Sequence, residues 1–138
     1  VDNSPEMVRF CRHKGLRAHV MSMTRLDFPA AAFDAAYALN SLLHVPHDRF
    51  TAVLDGIGRV LRPGAPFLLG QYGGQNFDGV WPEDHHVPPR FYANYSDQEI
   101  LQQVSGRFRI EQFRKIYLPD SGSRVRMHFQ LLICRSPA

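Results

Sequence analysis

His44 stands in a polar segment, Asn40–His47, that directly follows an apolar run ending at Leu39. The charge of an imidazole changes near neutral pH, so this side chain is suited to orient an acceptor group or to remove its proton. The alternative is a structural histidine that is hydrogen-bonded to a loop carbonyl. The residue types around His44 therefore indicate a binding or catalytic site, and the elements that position them come next.

The apolar run Phe33–Leu39, the helical period of residues 48–61 and the apolar run Phe67–Gly70 predict a strand–helix–strand unit. Such units build open parallel sheets, in which ligands bind beyond the carboxyl ends of the strands. Function is therefore expected at Asn40–His47 and in the segment that follows Gln71.

The flanking segments predict the remaining elements of one domain. Ser4 and Pro5 are typical of a helix start, and Ser96 with Glu99 forms a capping box. Two consecutive strands without a helix between them are expected to pair antiparallel. The predicted ranges are a helix from Pro5 to about Lys14, a short strand in Arg17–Met23, a helix from Ser96 to near Gly106, and strands in Arg107–Leu118 and Arg126–Arg135.

Residues 72–95 are rich in glycine, proline and aromatic side chains. A long aromatic loop inside a compact domain is usually a lid or a binding loop, so we expect it on the acceptor side. Its Glu83-Asp84-His85-His86 run suggests a metal site at first sight. Adjacent side chains of an extended segment point to opposite sides, however, and the chain has no ligand spacing typical of zinc. No metal site is therefore predicted.

The chain has 138 residues, enough for one domain, and a net charge of +3 without a dense Lys/Arg block. Nucleic-acid binding is therefore not indicated. No apolar stretch approaches the about 18 residues of a membrane span, and no leader pattern is present. We expect a soluble cytoplasmic protein. The excess of Arg over Lys suggests a bacterial source, and the absence of an initial Met suggests a piece of a longer polypeptide.

The order of these elements resembles the later portion of the class I S-adenosylmethionine-dependent methyltransferases. Asp2-Asn3-Ser4-Pro5-Glu6-Met7 is similar to the end of the family's second strand and the helix start that follows it. Phe33-Asp34 with Asn40–His44 resembles the fourth strand, and Val60–Gly64 resembles the turn before the fifth. The Gly-rich loop after the family's first strand has no counterpart, since its place would lie before Val1.

The resemblance implies an α/β fold: a Rossmann-like, mostly parallel sheet with a C-terminal antiparallel hairpin, lacking strand 1. Residues 1–138 would be a partial methyltransferase domain whose cofactor half is truncated at the N-terminus. Two other interpretations stay open. One is a non-catalytic fragment or binding module that cannot bind cofactor alone, and the other is a metal-dependent hydrolase that uses the His/Asp loop.

The resemblance also implies S-adenosylmethionine as the cofactor and a small-molecule methyl acceptor. Asp2 would accept hydrogen bonds from the ribose hydroxyls, and His44 would act on the acceptor. Ser22 stands where the family tends to carry an acidic residue that binds the adenine amine. The implied cofactor residues are Asp2, Asn3, Ser22, Met23, Asn40, Ser41 and Leu42. The acceptor pocket would be walled by Tyr72, Trp81, Phe91 and Tyr92, with Arg90 for a carboxylate or phosphate.

Overall fold

The computed structural model describes residues 1–81, 84–117 and 127–138. Helices and strands alternate along the first half of the chain, and strands dominate the second half. The elements are α1 Pro5–His13, β1 Ala36–Leu39, a 3₁₀ helix Leu42–His44, α2 His47–Val60, β2 Pro66–Gly73, β3 Phe77–Val80, β4 Phe91–Asn94, α3 Asp97–Ser105, β5 Arg109–Ile116 and β6 His128–Arg135. No helix in the described part of the chain is long and apolar enough to cross a membrane.

Among the described residues, β1, β2, β6 and β5 form one sheet in that order. β1 runs parallel to β2, whereas β6 runs antiparallel to both β2 and β5. The predicted α/β, Rossmann-like fold is thus confirmed, and so is the antiparallel C-terminal strand pair. The described sheet is mixed rather than mostly parallel, because β6 returns between β2 and β5.

The helices begin and end at the residues that the sequence marks for this. The Ser4 hydroxyl accepts a hydrogen bond from the Met7 amide at 3.3 Å, and Gly15, just past the helix, has φ +79°. At α3, the Ser96 hydroxyl accepts from the Glu99 amide at 3.3 Å and donates to the Glu99 carboxylate at 3.0 Å.

The core lies on one face of the sheet, under α2 and α3. Alternate residues of β2 and β6 point to this face because side chains of a strand alternate. The apolar period of α2 and the inward positions of α3 meet them. The fully buried side chains include Phe50, Leu54, Phe67, Leu69, Ile100 and Leu132.

Two expectations for the strands near the cofactor side are wrong. The strand predicted at Phe33–Leu39 forms only at Ala36–Leu39 and is half exposed, with Tyr37 77% exposed. The physical reason is that β1 ends the described strand order and pairs only with β2 among the described residues. The strand predicted in Arg17–Met23 is a single bridge between Asp2 and Val20, because Asp2 alone pairs with it.

The segment predicted as a loop at residues 72–95 contains a hairpin instead. β3 and β4 pair antiparallel over four residues each. Glycine and proline signals concealed these strands in the sequence, since Gly79 lies inside β3 itself. The turn-rich connection at residues 119–123 lies outside the described residues.

Candidate active site

A cleft of about 490 Å³ runs along the whole of β1, and Ile57, Val60 and Phe67 also line it. Val1 and Met23 line one side of it, and Leu39, Ser41 and Leu42 line the other. Asp2 and Asn40 are next in sequence to the lining residues Val1 and Ser41, but they are not themselves among the residues that line the cleft. The two regions that the sequence assigned to the cofactor therefore lie on the same side of the molecule.

Asp2 is held by its backbone and by one of its carboxylate oxygens. Its amide donates to the His19 carbonyl at 3.2 Å, and its carbonyl accepts from the Met21 amide at 3.0 Å. Its Oδ1 accepts from the Ser4 amide at 2.8 Å. The exposed Oδ2 has no partner among the described residues, so it is free to accept a hydrogen bond from a hydroxyl group. Asn3, in the turn before α1, is exposed as well.

Ser22 and Met23 differ in how they face the cleft. The Ser22 hydroxyl lies 2.7 Å from the Thr24 hydroxyl and accepts from the Thr24 amide at 3.2 Å, so a local turn engages it. Met23 is half-buried, packs against the core and lines the cleft. Their predicted contacts with an adenine ring remain predictions.

Asn40 carries the chain from β1 into the 3₁₀ helix with a left-handed backbone, at φ +49°. Its amide donates to the Gly70 carbonyl at 2.8 Å, which fixes this turn to β2. Asparagine tolerates the left-handed region better than most residues, and such conformations cluster at functional sites. The turn places Ser41 and Leu42 on the cleft wall.

His44 is oriented by the β3–β4 hairpin. Its Nδ1 lies 2.7 Å from the Phe91 carbonyl oxygen. Because a carbonyl only accepts, Nδ1 carries the hydrogen, and Nε2 of the neutral ring holds a lone pair. The Tyr92 ring lies 4.9 Å from the imidazole, centroid to centroid. This is the tautomer that a proton acceptor at Nε2 requires.

His47 makes a second contact of the same kind. Its Nε2 lies 3.1 Å from the Asn94 carbonyl oxygen, and its ring lies 4.1 Å from that of Tyr95. Its Nδ1 lies 3.8 Å from the Asp78 carboxylate. The hairpin is thus attached to the start of α2 by His44 and His47 together.

The aromatic side chains predicted to wall the acceptor pocket fall into two places. Trp81 and Tyr92 lie in one edge-to-face row with Phe77, at centroid distances of 5.0 and 6.4 Å, and Phe91 precedes Tyr92. Tyr72 instead contacts Phe129, at 5.4 Å. The structure therefore brings the Tyr92 ring and the Phe91 carbonyl to His44, with Trp81 against Tyr92, and it shows no such contact for Tyr72 among the described residues.

The acidic and histidine residues at the tip of the hairpin are occupied with one another. Arg90 donates to both oxygens of Asp84, each at 2.9 Å, and His86 Nδ1 lies 3.2 Å from Asp84 Oδ1. His85 is exposed, and Glu83 lies outside the described residues. In the described ranges, no group of three or more His, Cys, Asp or Glu side chains is arranged to hold a metal ion.

A layer of buried polar side chains lies on β2 and β6, and the sequence analysis did not predict it. Gln71 and Gln130 face each other on β2 and β6, and both are fully buried. Gln130 Nε2 donates to the Tyr95 carbonyl at 3.1 Å. Both amide atoms of Gln71 lack a hydrogen-bond partner among the described residues, as do Asn94 Oδ1, the Tyr95 hydroxyl and Gln130 Oε1. The available signal was glutamine at inward positions of two otherwise apolar strands.

Asp97, the first residue of α3, accepts hydrogen bonds from the polar side chains next to this layer. Its carboxylate lies 2.5 Å from Lys115 Nζ, 2.7 Å from His128 Nε2 and 2.8 Å from Gln130 Nε2. Burial raises the pKa of Asp97, but the hydrogen bonds from these three side chains outweigh it and lower the pKa to about 2. The carboxylate is therefore ionised at neutral pH.

Comparison with known proteins finds similarity to methyltransferases. Residues 1–64 match the family model of a methyltransferase domain. A sterol 24-C-methyltransferase of Eremothecium gossypii is 28% identical over 99 residues, which cover 64% of this chain and 26% of that protein. The chain thus spans about a quarter of the length of this curated relative.

Two solved structures share the fold. A SAM-dependent methyltransferase from Methanosarcina mazei has a TM-score of 0.76 at 18% identity, over 99% of this chain and 80% of its own. The 1,6-didemethyltoxoflavin-N1-methyltransferase of Burkholderia thailandensis, solved with 1,6-didemethyltoxoflavin and S-adenosylhomocysteine, has a TM-score of 0.71 at 20% identity, over 97% and 57%.

These matches confirm the resemblance drawn from the sequence. The chain is thus similar to S-adenosylmethionine-dependent methyltransferases in the sequence of residues 1–64 and in its fold. The lining of the cleft is apolar or aromatic except for Ser41.

Proposed function

We propose that the protein of which this chain is a part transfers the methyl group of S-adenosylmethionine to a small-molecule acceptor. The observation that carries this proposal is one cleft that is lined by Val1, which precedes Asp2, and by Ser41 and Leu42, which follow Asn40. The cofactor brings an electrophilic methyl group bound to a positively charged sulfur. The protein then has to hold the two reactants in line and keep water out.

In this proposal, each group of cofactor-binding residues contacts a different part of S-adenosylmethionine. Asp2 Oδ2 accepts a hydrogen bond from a ribose hydroxyl, and Asn3, Ser22 and Met23 surround the adenine. Asn40, Ser41 and Leu42 lie along the methionine part. The left-handed turn at Asn40 supports this assignment, because it sets the adjacent wall of the cleft.

His44 removes the proton of the acceptor in this proposal. The nucleophilic atom forms its bond to the methyl carbon as the carbon–sulfur bond breaks, and the electron pair of that bond stays on sulfur. The proton of the acceptor passes to His44 Nε2, the nitrogen that carries the lone pair. The hydrogen bond from Nδ1 to the Phe91 carbonyl supports the role, since it fixes the tautomer and the ring orientation.

A small molecule is the proposed acceptor because of the aromatic hairpin beside His44. Trp81, Phe91 and Tyr92 offer flat apolar surface to a ring system. One relative is named for methylation at nitrogen of 1,6-didemethyltoxoflavin and another for methylation at carbon of a sterol. Both names describe small molecules. We also propose a cytoplasmic location, on the absence of a spanning helix in the described residues.

The experiment is a turnover assay on the full-length protein and its His44→Gln variant. Formation of S-adenosylhomocysteine is measured with a panel of neutral aromatic alcohols, amines and N-heterocycles. Glutamine keeps a donor for the Phe91 carbonyl but has no basic nitrogen. We expect kcat to fall by roughly 10²- to 10⁴-fold, with an unchanged KM for S-adenosylmethionine.

His13→Gln is the matched control, since His13 is exposed at the end of α1 and lies outside the proposed site. Its kcat is expected to equal that of the unmodified protein. A His44→Gln variant with wild-type kcat would contradict the role of the base. A full-length protein that binds no S-adenosylhomocysteine in calorimetry would overturn the proposed function as a whole and favour a binding module.

A further inference from the structure

Asp84 closes the tip of the β3–β4 hairpin although it lies outside both strands. Its side chain is only 4% exposed, and its two oxygens accept hydrogen bonds from three groups of Arg90. The Arg90 amide donates at 2.7 Å, Nε at 2.9 Å and Nη2 at 2.9 Å. Such two-pronged pairs fix geometry as well as charge. We call this pair the Asp84–Arg90 clasp.

The clasp is connected to His44 through the ring of Tyr92. The Arg90 guanidinium lies over the Tyr92 ring, 5.3 Å from its centroid, and the same ring lies 4.9 Å from that of His44 and 6.4 Å from that of Trp81. The residue between Arg90 and Tyr92 is Phe91, whose carbonyl accepts the Nδ1 hydrogen of His44. Two successive residues of β4 therefore set both the tilt and the tautomer of the imidazole.

The charge state of the clasp is stable. The hydrogen bonds from Arg90 hold the pKa of Asp84 well below its usual range, and the Asp84 carboxylate raises the pKa of Arg90. Both partners are therefore charged over the whole range in which a histidine titrates. The orientation of His44 does not change through titration of the clasp.

We propose that Asp84 is a positioning residue of the methyl-transfer reaction: it fixes Arg90 over Tyr92 and thereby holds His44 with its Nε2 lone pair toward the acceptor. This inference rests on the proposed function, because it assigns Asp84 to the reaction that His44 serves. It also gives Arg90 another role than the expected binding of a carboxylate or phosphate. The guanidinium is already paired, so the hairpin presents a neutral aromatic wall to the acceptor.

The first experiment reads the tautomer of His44 directly and needs no acceptor. The full-length protein is labelled with ¹⁵N at its histidines, and the His44 signal is assigned by its loss in His44→Gln. In the unmodified protein we expect a single tautomer with the hydrogen on Nδ1. In Asp84→Asn we expect a mixture in which the Nε2–H form appears, because the ring is no longer held by β4.

The second experiment measures kcat and KM with the acceptor from the panel that gives the fastest turnover. A misplacement of a reacting group on the ångström scale lowers rates by up to about 100-fold, so we expect Asp84→Asn to lose about tenfold in kcat. The KM for S-adenosylmethionine stays unchanged. Arg90→Lys keeps the positive charge but cannot donate two parallel hydrogen bonds to Asp84. We expect it to lower kcat by a smaller factor than Asp84→Asn does.

Asp55→Asn is the matched control, because Asp55 also pairs with an arginine, Arg107, but joins α2 to the end of α3. It removes an Asp–Arg ion pair without touching the hairpin, and its His44 signal and kcat should equal those of the unmodified protein. If Asp84→Asn does not fold, Arg90→Lys carries the same test.

The outcomes separate the two proposals. An unmodified protein with the hydrogen on Nε2 overturns the role of His44 and the clasp with it. A correct tautomer that Asp84→Asn and Arg90→Lys both leave unchanged, with kcat also unchanged, overturns the clasp alone. Faster turnover of anionic than of neutral acceptors by the unmodified protein overturns the assignment of Arg90 to positioning.

Discussion

Replacing Asp2 by asparagine tests the cofactor half of the site with the smallest available change. The variant keeps the side-chain oxygen that accepts from the Ser4 amide at 2.8 Å, so the start of α1 is preserved. It replaces Oδ2 by an NH₂ group, which cannot accept a hydrogen bond from a ribose hydroxyl. The change therefore removes one charge-assisted hydrogen bond and leaves the backbone pairing with Val20 in place.

The expected magnitude follows from that single bond. A hydrogen bond to a charged group contributes about 1.5–3 kcal/mol, and about 1.4 kcal/mol corresponds to a tenfold change in affinity. Because Asp2 is exposed, the lower end applies. We expect the Kd of S-adenosylhomocysteine for the full-length protein to rise about tenfold in Asp2→Asn, as measured by isothermal titration calorimetry.

Asp34→Asn is the control for the loss of one negative charge, since Asp34 pairs with Arg62 before β1. Its Kd should match that of the unmodified protein. An Asp2→Asn protein whose Kd stays within about twofold would refute the placement of the ribose at Asp2. A tenfold loss in both variants would instead reveal a general charge effect on the ligand.

Two further predictions concern stability and are read from denaturant unfolding. Asp97 has a pKa lowered from its ordinary 3.8 to about 2, so its contribution to folding is present above about pH 4 and is lost as the pH falls toward 2. Because solvent screens the interactions of this carboxylate, we expect Asp97→Asn to lower the free energy of unfolding by only about 1 kcal/mol at pH 7. The difference from the unmodified protein should disappear as the pH falls through about 2. Equal stability of the two proteins at pH 7 would contradict this prediction. A Cβ on Gly73 would meet the Gln130 amide oxygen at 2.2 Å and the Tyr95 carbonyl oxygen at 2.8 Å, so Gly73→Ala should lose about 1–3 kcal/mol. Gly56→Ala, in open space within α2, should gain up to about 1 kcal/mol, and a stabilised Gly73→Ala protein would contradict the close approach.

The local elements were predictable because their causes are local. Ser4, Gly15 and the Ser96–Glu99 pair act on backbone groups within four residues, so the sequence placed α1 and α3 to within about a residue. The apolar period of α2 is equally local, and the predicted start at Asp48 lies one residue from the observed His47. Amphipathic periodicity also selected the strands β2, β5 and β6.

The hairpin at β3–β4 was not predictable in the same way. Its strands pair residues that lie eleven to seventeen positions apart, such as Val80 with Phe91 and Phe77 with Asn94. A four-residue strand with an internal glycine has no sequence pattern that identifies its partner strand. The exposure of β1 depends likewise on its neighbours in the sheet, since its apolar sequence is that of a buried strand.

By itself, the sequence determined the class of fold, the resemblance to a methyltransferase, and the candidate residues from Asp2 to Tyr92. These follow from motifs and periodicities that are written along the chain. Only the tertiary structure decided that Val1, Met23 and Leu42 border one cleft, which tautomer His44 adopts, and that Arg90 is already paired with Asp84. Such facts depend on hydrogen bonds between distant segments, and no local pattern encodes the partner of a side chain.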